Sequence, residues 1–73
     1  SFTATEFDIL SQLMKSDGRV LSRGELIETI KGDDYPVTER SIDVQIASIR
    51  KKLGEKGQYI KTVWGIGYRY AEE

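Results

Sequence analysis

The sequence predicts an α+β domain, mostly α: three helices followed by a C-terminal β-hairpin. Three observations carry that expectation. Two Thr/Ser-x-x-Glu boxes, "TATE" and "SRGE", each stand before an apolar run with helical spacing. A longer run, "ERSIDVQIASIRKKL", repeats isoleucine at helical spacing and stops at a glycine. The closing "QYIKTV", "WGIG" and "YRYA" read as strand, turn and strand. At 73 residues the chain has room for one domain, 1–73, with a small core.

The first helix is opened by Thr3 and Glu6. The Thr3 side chain is placed to accept from the Glu6 N–H, and the Glu6 carboxylate to accept from the Thr3 N–H. Phe2 and Phe7 occupy the flanking staple positions, and Phe7, Leu10, Leu13 and Met14 are expected on one apolar face. "KSDGR" ends the helix. Ser22 and Glu25 open the second helix, with Leu21 and Leu26 as staple. Leu26, Ile27 and Ile30 form its inner face, and Gly32 is its expected stop. "GDDYPV" reads as a turn, since Pro36 disfavours helix at the residue before it. Thr38 is the expected N-cap of the third helix, with Val37 and Ile42 as staple. Its box reads as incomplete, because Ser41 stands where the glutamate would be. Gly54 ends this helix, and "EKG" reads as a short loop. Ile60, Val63, Tyr68 and Tyr70 are the candidates to seat the hairpin on the helices. Three helices and a hairpin make a helix-turn-helix variant with a wing, although the second connection exceeds the usual three or four residues.

Composition narrows the function. There is no Cys and no His. Disulfides, thiolate chemistry and the commonest metal ligand and general base are therefore absent. No paired-carboxylate motif or phosphate-cradling glycine loop appears; "WGIGY" fails as a dinucleotide fingerprint, since no helix follows it. An enzyme, a metal and a cofactor are accordingly not expected. No apolar run approaches a membrane span, so the expected location is cytoplasmic.

The net charge of −1 hides an uneven distribution. Residues 1–39 hold four basic and eight acidic residues, a balance of −4, whereas residues 40–71 hold seven basic and two acidic, a balance of +5. Screening confines charges to a reach of about 8–10 Å. A local positive surface can thus meet phosphate on an acidic chain. The plain alternative is that the lysines only keep a helix solvated.

At 100° per residue, Ile42, Ile46, Ile49 and Leu53 gather on one arc of the third helix. Arg40, Val44, Ala47, Ser48 and Lys51 lie opposite. Asp43 and Arg50 flank one side, Ser41 and Lys52 the other. Small side chains in the middle and cations at the rim suit a helix that enters a major groove. Val44 then meets a thymine methyl, and Asp43 accepts from a cytosine amino group. The plain readings are a lone exposed valine and an acidic residue favoured by the helix N-terminus. Arg40 binds phosphate or pairs with Glu39 or Asp43.

"RSIDVQIASIRKKLG" followed by "IKTVWGIGYRY", together with "FTATEF" and "GRVLSRGEL", resembles the DNA-binding effector domain of OmpR/PhoB-type two-component response regulators. The resemblance spans nearly the whole chain. It implies a winged helix-turn-helix that is a piece of a longer bacterial regulator, with sequence-specific binding of double-stranded DNA. Helix 39–53 would read the major groove and wing 58–71 would lie at the minor groove. By motif position, Ser41, Asp43, Val44, Ala47 and Ser48 would face bases. Arg23, Arg40, Arg50, Lys51, Thr62 and Tyr68 would meet phosphates, and Trp64, Gly65 and Arg69 would belong to the wing. The resemblance further implies head-to-tail dimers on direct repeats, and contact with RNA polymerase through the 32–37 loop.

Three departures stand out. Ala47 and Ser48 occupy positions where many relatives carry arginine at one or both, and arginine reads guanine best, so a site that leans to A·T or is weakly specific is expected. Trp64 stands where relatives often place an arginine suited to a narrow minor groove. The four-stranded sheet that normally opens the family's domain is not expected within these 73 residues, which start just before the first box, as in a fragment or a minimal domain. The second reading is a winged-helix protein-interaction module with weak or lost DNA binding, for which an exposed Trp64 would be an interface anchor.

Overall fold

The computed structural model describes residues 1–30 and 38–72. In chain order the elements are α1 (Ala4–Lys15), β1 (Leu21–Ser22), α2 (Arg23–Thr29) and α3 (Glu39–Leu53). A 3-10 turn (Gly54–Tyr59) then leads into β2 (Ile60–Val63) and β3 (Gly67–Tyr70). The three strands form one antiparallel sheet in the order β1-β3-β2. The expected three helices and terminal hairpin are therefore present.

All three helices open on a reciprocal box. Glu6 and Glu25 accept from the backbone N–H of Thr3 and Ser22 at 2.9 and 2.8 Å. The Thr38 box, expected to be incomplete, closes as well: the Ser41 hydroxyl accepts from the Thr38 N–H at 3.1 Å. A hydroxyl serves here because the third helical residue lies close enough to its cap that the longer glutamate is not required. α2 ends at Thr29, with Ile30 extended as its cap. The expected Gly32 stop, the Val37 staple position and the "GDDYPV" turn lie outside the described residues.

Ile9, Leu13, Leu21, Leu26, Ile42, Ile46, Ile49, Ile60 and Tyr68 form the buried core. Leu53 and Tyr70 pack partly against it; Val63 is only half-buried. The apolar face expected on α1 is corrected. Ile9 and Leu13 are fully buried, whereas Phe7 and Met14 are 61 % and 52 % exposed. The helix is rolled toward Ile9 because its buried arc also holds Glu6, a charged residue that apolar spacing does not count. Phe2 still packs partly against the core, so only one half of the expected staple is inside.

The expected "EKG" loop is part of the 3-10 turn, and β1 was not expected at all. β1 is two residues long and exists through its partner, pairing Leu21 with Tyr68 and Ser22 with Gly67. A side chain at Gly67 would meet the Leu21 carbonyl oxygen at 2.0 Å, so the close backbone approach requires glycine. The hairpin turn is closed by the Ile66 N–H on the Val63 carbonyl at 2.9 Å, and Gly65 supplies its positive φ of 79°. The two glycines of "WGIG" thus serve different ends.

Candidate nucleic-acid interface

The isoleucine stripe seats α3 in the core and decides what the helix shows to solvent. Arg40, Val44, Ala47 and Lys51 are exposed and run along the outward side one turn apart. Val44 is 60 % exposed. Among the described residues, neither Arg40 nor Lys51 has a carboxylate partner. Four of the expected contact residues therefore share one bare strip: a valine and an alanine between two cations.

The flanks of that strip are occupied. On the side of α1, the Ser41 hydroxyl donates to the Thr38 carbonyl at 2.8 Å while serving the cap. The Ser48 hydroxyl donates to Glu6 Oε2. Lys52 Nζ reaches Glu6 Oε1 at 2.7 Å, with its ammonium 5.9 Å from the Phe2 ring centroid. Ser41 and Ser48 are thus turned aside from the strip by their own hydrogen bonds. Glu6 is 3 % exposed, and these bonds, Lys52 first and then Ser48 and the Thr3 N–H, hold its pKa down from 4.5 to about 2 against the opposing effect of burial. Glu6 was not expected at the site, and Lys52 was expected there only as a cation on its flank. The capping box announced Glu6, but no local spacing announces partners 42 and 46 residues away.

On the opposite flank α3 meets the hairpin. Arg50 Nε and Nη2 donate to the Ile60 carbonyl at 3.1 and 2.7 Å, and Nη2 also donates to the Thr62 hydroxyl at 2.8 Å. The guanidinium carbon lies 5.8 Å from the Tyr68 ring centroid. Tyr68 donates its hydroxyl to Asp43 Oδ1, and burial first, then this bond, raises the tyrosine pKa. Asp43 Oδ1 also receives Arg23 Nε at 3.0 Å, and Glu39 lies 3.6 Å from Arg23 Nη1. The Asp43 charge raises the arginine pKa further. Asp43 therefore faces the hairpin and α2.

These groups line a groove of about 580 Å³ between the start of α2, one side of α3 and the hairpin. Arg23, Asp43, Arg50, Thr62, Tyr68, Trp64 and Gly65 are all on its wall. Its two arginines are balanced by Asp43 and Glu39, so the groove itself carries no net charge. Trp64 is 88 % exposed and Ile66 60 %. Both sit at the tip, where the turn gives them nothing to pack on. Arg69 lies apart from the groove, because its Nε donates to the Gly18 carbonyl at 3.0 Å. Among the described residues no cluster of acidic side chains could hold a metal, and no helix is long and apolar enough to cross a membrane.

Residues 1–70 match the family model described as "Transcriptional regulatory protein, C terminal". The chain is 38 % identical over 74 residues to the uncharacterised transcriptional regulatory protein YclJ of Bacillus subtilis, covering 100 % of this chain and 33 % of that protein. The DNA-binding domain of the response regulator AdeR, solved in complex with an intercistronic region, superposes with a TM-score of 0.83 at 35 % identity, over 100 % of this chain and 77 % of that one. Response regulator DrrB, an OmpR/PhoB homologue from Thermotoga maritima, gives a TM-score of 0.81 at 38 % identity, over 97 % and 33 %. The chain spans about a third of the length of the curated relatives it matches.

Proposed function

Since the chain belongs to the family of C-terminal DNA-binding domains of OmpR/PhoB-type transcriptional regulators, we propose that it binds double-stranded DNA sequence-specifically as the output module of a two-component response regulator. α3 lies in the major groove and the hairpin follows the sugar-phosphate edge toward the minor groove. The observation that carries this reading is the exposed strip of α3. Val44 and Ala47 are small enough to let the helix approach base edges, and Val44 supplies an apolar surface for a thymine methyl. Arg40 and Lys51 stand at the rim, where phosphates pass. Arg23 adds a third cation from the groove wall. Arg50, Thr62 and Tyr68 act mainly by fixing the hairpin, with the remaining Arg50 N–H groups directed to a phosphate.

This arrangement works by contact and position and involves no chemical step. With the Ser48 hydroxyl committed to Glu6 and no arginine at 47 or 48, little is left to read guanine. The preferred sites accordingly lean to A·T. Head-to-tail pairing on direct repeats and a cytoplasmic location accompany this reading. Contact with RNA polymerase through residues 32–37 is also part of it; that segment lies outside the described residues.

Fluorescence titration of duplex DNA over a range of salt tests the proposal. Three to four neutralised phosphates give a log–log slope of about −2.7 to −3.6. No binding to an A·T-rich duplex at ~50 mM salt would defeat it. That outcome would favour the second reading, a protein-interaction module, which the exposed Trp64 and Ile66 at the hairpin tip support.

A further inference from the structure

The carboxylate of Asp43 stands where three elements meet. It is carried by α3, it accepts from the Tyr68 hydroxyl of β3, and it receives Nε of Arg23 from the first residue of α2. Both contacts fall on the same oxygen, Oδ1. A carboxylate reads a cytosine amino group by turning an oxygen to the groove floor; here Oδ1 is turned instead to Tyr68 and Arg23. This one spends its charge on the protein. Holding Arg23 by Nε also fixes the plane of the guanidinium, which leaves the paired Nη groups as the end presented outward.

We propose that Asp43 is a positioning residue: it reads no base, but aims Arg23 at a phosphate and locks the hairpin to α3 through Tyr68. This rests on the reading of the chain as a DNA-binding module. Glu39, 3.6 Å from Nη1, marks the outward end of the arginine, and a phosphate would take over that position. Asp43, at 3.0 Å from Nε, stays in place when it does.

The test uses the 73-residue chain, a pool of random-sequence duplexes, the duplex enriched from that pool, and its scrambled counterpart. Asp43→Ala is expected to weaken the enriched and scrambled duplexes by the same factor, about three- to tenfold, and to flatten the salt slope by about one. Adding Asp43→Ala to Arg23→Ala should cost clearly less than Asp43→Ala does alone, only the part that runs through Tyr68, because the arginine and its carboxylate act as a unit. Asp43→Asn keeps an acceptor for both partners and should restore most of the binding with the original base preference at every position. Tyr68→Phe should repeat part of the loss without changing preference.

A base reader behaves differently. Asp43→Asn would then move the preference at one base pair toward adenine, and Asp43→Ala would relax that position alone. Either result overturns the proposal, as do independent, additive effects of Asp43 and Arg23. Failure of the unmodified chain to bind any duplex would defeat the parent reading instead. The anchor would still be read by NMR without DNA, where the Arg23 Nε–H and Tyr68 ring signals must shift together in Asp43→Ala; signals that stay put would overturn it. Melting curves for each variant show that a loss of binding is not a loss of fold.

Discussion

The two flanks of α3 are fastened by opposite chemistry. Toward α1, the body of the domain supplies a buried carboxylate, Glu6, and the helix supplies its partners, Ser48 and Lys52. Toward the hairpin, the helix supplies the charge, Arg50, and the hairpin answers with a carbonyl and a hydroxyl. A buried anion must be fully compensated or it costs several kcal/mol. A half-exposed guanidinium can fall back on water. The α1 side is therefore the stiff anchor and the hairpin side the adjustable one. Between them Arg40, Val44, Ala47 and Lys51 are exposed, which leaves that strip available for the base and phosphate contacts proposed above.

Substitutions can break this comparison, beginning with the most disruptive. Glu6→Ala removes the acceptor of three donors and opens the α1 capping box at once. It should lower stability by about 2–3 kcal/mol, the usual cost of a broken buried pair reduced for the partly exposed lysine. The expected fall in Tm, read by circular dichroism, is about 10–20 °C. Arg50→Ala should cost less, about 1–2 kcal/mol by urea titration. Hydrogen exchange should quicken in β2 while α1 stays protected. Equal costs for the two variants would erase the distinction between the flanks.

Acid sharpens the same contrast. The folded Glu6 pKa of about 2 lies below its ordinary 4.5, so the native state favours the charged form. The stability this provides is complete above about pH 4.5 and is lost as pH falls toward about 2. Urea midpoints of the wild type and Glu6→Gln should therefore differ at neutral pH and converge near pH 2. Arg50→Ala should keep its deficit throughout, since its partners do not titrate in that range. The smallest effects belong to the strip. Val44→Ala should leave stability within about 0.5 kcal/mol and change the enriched duplex sequence instead. A large stability change there would mean that the strip is part of the fold.

Much of this organisation could be read locally. Capping boxes act over three residues, the isoleucine stripe over one helix, and the hairpin over its own turn, so their signals stand close together in the chain. Thr3, Ser22, Thr38 and Ile42 are where spacing placed them. The bare strip of Arg40, Val44, Ala47 and Lys51 follows from the same periodicity. What could not be read depends on tertiary approach. Glu6 satisfies its box with one oxygen, and nothing nearby says that Ser48 takes the other. β1 forms only because β3 lies alongside. Asp43 could have faced a base or the hairpin, and its angular position on α3 permits both; Tyr68 and Arg23, distant in sequence, decide it.

Gly67 has a practical corollary. The hairpin is pinned at its root, where a side chain would collide with the Leu21 backbone, and open at its tip, where one at Gly65 would meet nothing within 4 Å. Root and tip are thus separable parts for an engineer. Foreign peptide loops or reporter tags spliced between Trp64 and Ile66 should ride on an undisturbed scaffold, whereas any graft that replaces residue 67 would pry the wing from the body.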